Sequence, residues 1–183
     1  MVPTLLEELI ATLEACRPLA PAIAATGREI RDALAAGHRI YTAGNGGSAA
    51  DAMHLAEELI GRFDKERPSL PAVALCADAT VLTCIANDYG FERVFSRQIE
   101  GLGQPGDILV VFSTSGKSAN LLAALRTARD RGLRTIAVLG KDGGPAAPLA
   151  DHALVVPSRT TARIQEVHTF ILHAWLTLVE ASA

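Results

Sequence analysis

Hydrophobic positions along the chain follow two periods. Over residues 4–36 apolar and polar positions alternate at helical spacing, and Pro18 and Pro21 interrupt the run, which predicts two helices. Five short runs beyond them are apolar throughout: RIYTA at 39–43, PAVALC at 71–76, DILVVF at 107–112, TIAVL at 135–139 and ALVV at 153–156. Helical spacing separates these runs. Helices are predicted over 49–63 with Ser48 as N-cap, over 79–87 opened by Asp78, over 91–102 and 118–131, and over a closing segment from Thr161 to Glu180. Fully apolar strands alternating with helices indicate a parallel sheet covered on both faces. The expected fold is therefore α/β: a doubly wound five-stranded parallel sheet flanked by helices, with a helical N-terminal arm over 1–36. No repeat, low-complexity stretch or linker divides residues 1–183, so one domain is expected.

Composition narrows the function classes. The chain is 49% hydrophobic but only 4% aromatic, so Ala, Leu, Val and Ile must build the core. A net charge of -3 supplies no electrostatic reason to expect nucleic acid or an anionic membrane as partner. The longest uncharged apolar run, 167–179, is interrupted by His168 and His173 and is too short for a span of roughly 20 residues. The N-terminus carries acids and no basic leader. Cys16, Cys76 and Cys84 form no CxxC and read as buried thiols of a reducing compartment. A soluble, cytoplasmic protein is expected.

In doubly wound sheets ligands bind beyond the carboxyl ends of the strands. Two polar loops fall there: AGNGGS at 43–48 after the first strand, and STSGKS at 113–118 after the third. Neither matches GxGxxG or GxxxxGK[ST], which removes most support for a nucleotide. What remains is a hydroxyl-rich anion site at two helix starts, with Ser113, Thr114, Ser115 and Ser118 as its donors. His54 and Glu58 stand at i, i+4 on one helix face, and imidazole with carboxylate suits Zn²⁺. Met53 and Leu55 read as core, and Glu57 as exposed charge. On the last helix Gln165 and His173 lie eight residues apart, about 12 Å of rise and roughly 80° of rotation. They could share one ion only if the helix bends or another subunit supplies a ligand. His168 is an alternative partner but reads as packing, while His38 and His152 read as edge residues. Lys141–Gly144 reads as a turn, and Lys117, Arg159 and Arg163 are further phosphate candidates.

The words GNGGS, AMHLAEEL, ERPSLPA, ANDYGFERVFSRQIE, STSGKSANL, GKDGG and ARIQEVH together resemble the phosphoheptose isomerases of the sugar isomerase (SIS), flavodoxin-like fold, from about Ala43 to the C-terminus. The resemblance implies conversion of sedoheptulose 7-phosphate to D-glycero-D-manno-heptose 7-phosphate through a cis-enediol, on the way to activated heptoses for lipopolysaccharide and other glycans. It also implies a homotetramer with shared active sites, N-terminal helices that take part in oligomerisation, and one zinc per subunit. Carried onto this sequence, the metal ligands are His54, Glu58, Gln165 and His173. The sugar and phosphate positions are Asn45, Gly46, Gly47, Ser48, Glu58, Asn87, Asp88, Ser113, Thr114, Ser115, Ser118 and Gln165. Glu58 is then the base and His173 the acid. Some members carry an aspartate where this chain has Ala162, so another group must orient the histidine here. One branch of the fold binds the replication initiator DnaA without catalysis and shares ERPSLPA, IAND and ARIQE. Glu58, His173 and STSG distinguish the enzyme from that branch and from a sugar-phosphate sensor.

Overall fold

The computed structural model describes residues 1–181. Helix α1 covers Val2–Ala15, a 3₁₀ turn with Pro18 follows at Arg17–Leu19, and α2 covers Ala20–Ala35 with Pro21 in its first turn. Then come β1 Ile40–Gly44, α3 Gly47–Ile60, β2 Ala72–Ala74, α4 Ala79–Tyr89, α5 Ser96–Leu102 and β3 Ile108–Ser113. The chain continues with α6 Ala119–Asp130, β4 Arg134–Gly140, β5 His152–Val156 and α7 Thr161–Glu180. All strand pairings are parallel, in the order β2-β1-β3-β4-β5. The order reverses between β1 and β3, so the loops after these two strands flank the crevice of a doubly wound sheet.

The apolar strands serve both faces. Ile108, Val110 and Phe112 of β3 pack with α2, α3 and α7, whereas Leu109 and Val111 pack with α4, α5 and α6. Trp175 fastens the first layer, its Nε1 donating to the Ile23 carbonyl at 3.1 Å and the Thr26 hydroxyl at 3.0 Å. Gly27 permits this approach, since a Cβ there would lie 2.8 Å from the indole.

Local chemistry shifts several boundaries. Ser48 is not an N-cap: Gly46, at φ 57°, caps α3, and Ser48 is a buried residue of its first turn. A glycine is needed there because the entry uses left-handed backbone. The same helix stops at Ile60 rather than 63. The stretch 91–102 splits into a 3₁₀ turn, Phe91–Arg93, and α5. Asp78 opens α4 as expected, accepting from the N–H groups of Thr80 and Val81. Of the three thiols only Cys16 is buried; Cys76 is half-buried and Cys84 exposed. Met53 is exposed as well, since it lies on the flank of α3 away from the sheet. Among the described residues no helix is long and apolar enough to cross a membrane.

Candidate active site

The site begins where the sheet order reverses. Beyond β1, Gly44 lies so close to the Ser48 carbonyl that any Cβ would overlap it, which folds Asn45–Ser48 tightly onto the start of α3. Beyond β3, the Ser113 hydroxyl accepts the Gly116 N–H at 3.0 Å and the Ser115 hydroxyl accepts that of Lys117 at 3.3 Å. Asn45 and Asn120 join the two loops through reciprocal amide bonds of 3.0 and 2.9 Å. Between the loops lies a hollow of about 70 Å³ lined by Asn45, Ser48, Phe112, Ser113, Thr114, Ser115, Ser118 and Leu121. Hydroxyls over two helix N-termini form an anion cradle. A groove of about 500 Å³ shares Asn45 and Ser118 with it and adds Gly46, Phe91, Glu92, Ala119 and Asn120.

From this cradle α3 and α7 run side by side in the same direction. At their N-terminal ends the Gln165 amide sits on Gly47, so closely that a Cβ at Gly47 would overlap it. One turn on, Thr169 donates to Asp51 at 3.0 Å. Farther along, the His173 ring meets the His54 ring edge-on, with centroids 5.0 Å apart. His54 Nε2 is 3.4 Å from Glu58 Oε1, and Phe63 stacks on His173 at 5.4 Å. His54, Glu57 and Glu58 hold ligand atoms within 4.8 Å of one another, a spacing that could hold a metal ion. The helix register thus brings His54, Glu58 and His173 of one chain together and turns Gln165 toward the cradle. Asn87 and Asp88 stand in the last turn of α4, exposed, with Asn87 Nδ2 donating to Asp88 at 2.8 Å. They lie outside the lining of the hollow and groove.

Relatives give this arrangement its context. A family model for the SIS domain matches residues 5–140. A phosphoheptose isomerase of a Nitratiruptor species is 56% identical over 82% of this chain and 81% of its own. The solved phosphoheptose isomerase of Neisseria gonorrhoeae is 40% identical, covering 98% of this chain and 97% of that one with a TM-score of 0.93. That of Francisella tularensis is 36% identical, covering 98% and 96% with a TM-score of 0.95. The chain belongs to the phosphoheptose isomerase family.

For a phosphoheptose isomerase fold the electrostatics of the helix pair matter most. Burial, then the neighbouring His54, holds the His173 pKa below the ordinary imidazole value against the pull of Glu58. Burial raises the Asp51 carboxyl, opposed by the Thr169 hydrogen bond and by His54. Its Oδ2 is buried without a hydrogen-bond partner among the described residues. Asp51 was missed in the sequence, although it stands one turn before His54 on the same helix. Asn120, Phe91 and Glu92 were missed too; the polar residue in the first turn after STSGKS was the available signal for Asn120. Arg163 is corrected: it is buried and bound to Glu166 at 2.7 Å and the Leu5 carbonyl at 2.6 Å, so it anchors α1 and not a phosphate. His168 is packing, with its Nε2 on the Leu139 carbonyl at 3.2 Å.

Proposed function

We propose that this chain is an aldose–ketose isomerase that interconverts sedoheptulose 7-phosphate and D-glycero-D-manno-heptose 7-phosphate. One observation carries the reading. A single helix, α3, begins at a hydroxyl-lined anion hollow and ends at a histidine–carboxylate pair, with Gln165 and His173 of α7 beside it. The names of relatives at about half identity support it.

Each residue then has a task. Ser48, Ser113, Thr114, Ser115 and Ser118 hold the phosphate with the helix-start N–H groups. Asn45, Gly46, Gly47 and Gln165 border the sugar, whereas Asn87 and Asp88, outside this chain's hollow and groove, would reach it only in a site shared between subunits. Isomerisation moves a proton between C1 and C2 and another between their oxygens, through a cis-enediol. Glu58 takes and returns the carbon proton, and His173 transfers the proton at oxygen and in ring opening. Asp51, bound to Thr169 and one turn before His54, is the buried carboxyl beside this histidine pair. The donors suit one Zn²⁺ per subunit: His54, Glu58 and His173 of one chain would hold it, and Gln165, which in the same chain sits on Gly47, would complete the set from a neighbouring subunit; a bound ion supplies positive charge for the enediol oxygens. Incubation with sedoheptulose 7-phosphate in D₂O, followed by NMR, tests the assignment. Formation of the aldoheptose phosphate with deuterium at C2 is expected; a folded, metal-loaded protein giving neither would overturn it.

The protein acts as a cytoplasmic homotetramer with shared sites. No residue of α1 is buried, and Val2, Leu5, Leu6 and Ile10 are exposed along it, which supports a role for 1–36 in subunit contacts. Light scattering of Leu6→Lys/Ile10→Lys should show smaller assemblies; an intact tetramer would remove α1 from the interface. A DnaA-binding or sensor role is not favoured, because the relatives at about half identity are isomerases.

A further inference from the structure

The segment between α3 and β2 has no regular structure, yet it is held by one buried ion pair. Glu180, the last residue of α7, is 2% exposed. Its carboxylate accepts the N–H groups of Phe63 at 3.0 Å and of Asp64 and Lys65 at 2.9 Å, and pairs with Arg67 at 3.2 Å. Burial works against its charge, but these donors outweigh it and hold the pKa down at about 2. Arg67, with a side chain only 2% exposed, closes the end of α3. It donates to the Glu58 carbonyl at 2.6 Å and to the Leu59 carbonyl at 2.9 Å, two groups that a helix end leaves unpaired.

This network meets the site at two points. Arg67 grips the main chain of Glu58 itself, and Glu180 fixes the backbone of Phe63, whose ring stacks on His173. A buried ion pair is weak evidence for stability, since apolar packing can do as well. Its directional bonds do something apolar packing does not: they set where attached groups sit. A proton shuttle needs its acid and base placed to within a fraction of an ångström, and a misplacement of about 1 Å can cost ~10² in rate.

We infer that Arg67 and Glu180 are positioning residues that, through the end of α3 and the Phe63 ring, aim Glu58 at the C1–C2 pair of the sugar and His173 at the oxygens those carbons bear. The inference rests on the isomerase reading. Phe63→Leu and Glu180→Gln test it in the full chain through kcat, KM, Tm and the imidazole C–H NMR signal of His173, assigned with a His173→Gln control. Phe63→Leu should lower kcat about tenfold or more with KM within about twofold and Tm nearly unchanged, and should shift or broaden the His173 signal. Glu180→Gln should move kcat and the His173 signal in the same way while also lowering Tm. If either variant folds with normal kcat and an unmoved His173 signal, the network is only structural and the inference falls. Should Glu180→Gln fail to fold, Phe63→Leu decides alone. If the wild type does not turn over the heptulose phosphate, the isomerase reading fails; the His173 signal then still decides whether the network sets the imidazole.

Discussion

At the scale of single residues, the closest approaches are the most informative. Glu58 has its carboxylate 3.4 Å from His54 and its main chain held by Arg67, so its side chain can be changed without disturbing the helix end. Glu58→Gln should therefore leave Tm and KM near the wild-type values and reduce kcat by roughly 10²–10⁴; a near-normal kcat would assign the base elsewhere. Gly47 behaves differently. It is helical, so alanine there should favour the fold by up to about 1 kcal/mol. The new methyl group would nevertheless displace the Gln165 amide. Gly47→Ala is expected to keep or raise Tm and to lower kcat/KM about tenfold or more if Gln165 serves the reaction. Equal activity would show that Gln165 is a bystander.

At the scale of elements, the cradle depends on backbone more than on hydroxyls. Gly116 has φ +62°, and a Cβ on it would overlap the Gly143 carbonyl of the loop after β4. That neighbour is main chain and cannot step aside as a flexible side chain would. Gly116→Ala should cost about 2 kcal/mol or more, ~5 °C in Tm, and should raise KM for the phosphorylated sugar. A calorimetric scan beside a steady-state assay checks both. The α3 and α7 pair shows a second property of elements. Gly47 with Gln165, Asp51 with Thr169, and His54 with His173 are successive rungs of one parallel contact. A single register shift of either helix would break all three together.

At the scale of the whole molecule, acid acts through groups far from the substrate. Burial holds the pKa of His168 down to about 4, opposed by its Leu139 hydrogen bond, while Glu180 titrates near 2. The unfolded chain takes up protons at both residues before the folded one does. Stability supplied by His168 is complete above about pH 6.5 and is lost as the pH falls toward 4, on the order of 3 kcal/mol. That supplied by Glu180 is present above about 4.5 and fades toward 2. Unfolding free energy should thus be level from about pH 7 to 8 and decline in two stages below it. His168→Gln should flatten the upper stage, as followed by urea titration at successive pH values. An unchanged slope between pH 6.5 and 4 would mean that His168 is not the group responsible.

Local chemistry alone determined much of this. Five apolar runs separated by helical spacing are enough for a doubly wound parallel sheet, because a strand apolar on both faces must be covered on both. The polar loops after the first and third runs marked the cradle for the same reason of place. The i, i+4 spacing of His54 and Glu58 put them on one face before any fold was known. Tertiary structure decided the rest, since it depends on which distant segments touch. No spacing within α7 shows that His173 meets His54 while Gln165 meets Gly47; the parallel packing of two helices more than a hundred residues apart does. Nor does any pattern show that Arg163 belongs to Glu166 and Leu5, or that Glu180 reaches back to Phe63 and Arg67. Those partners are chosen by burial, where a charge must find hydrogen bonds, and the chain order does not record that choice.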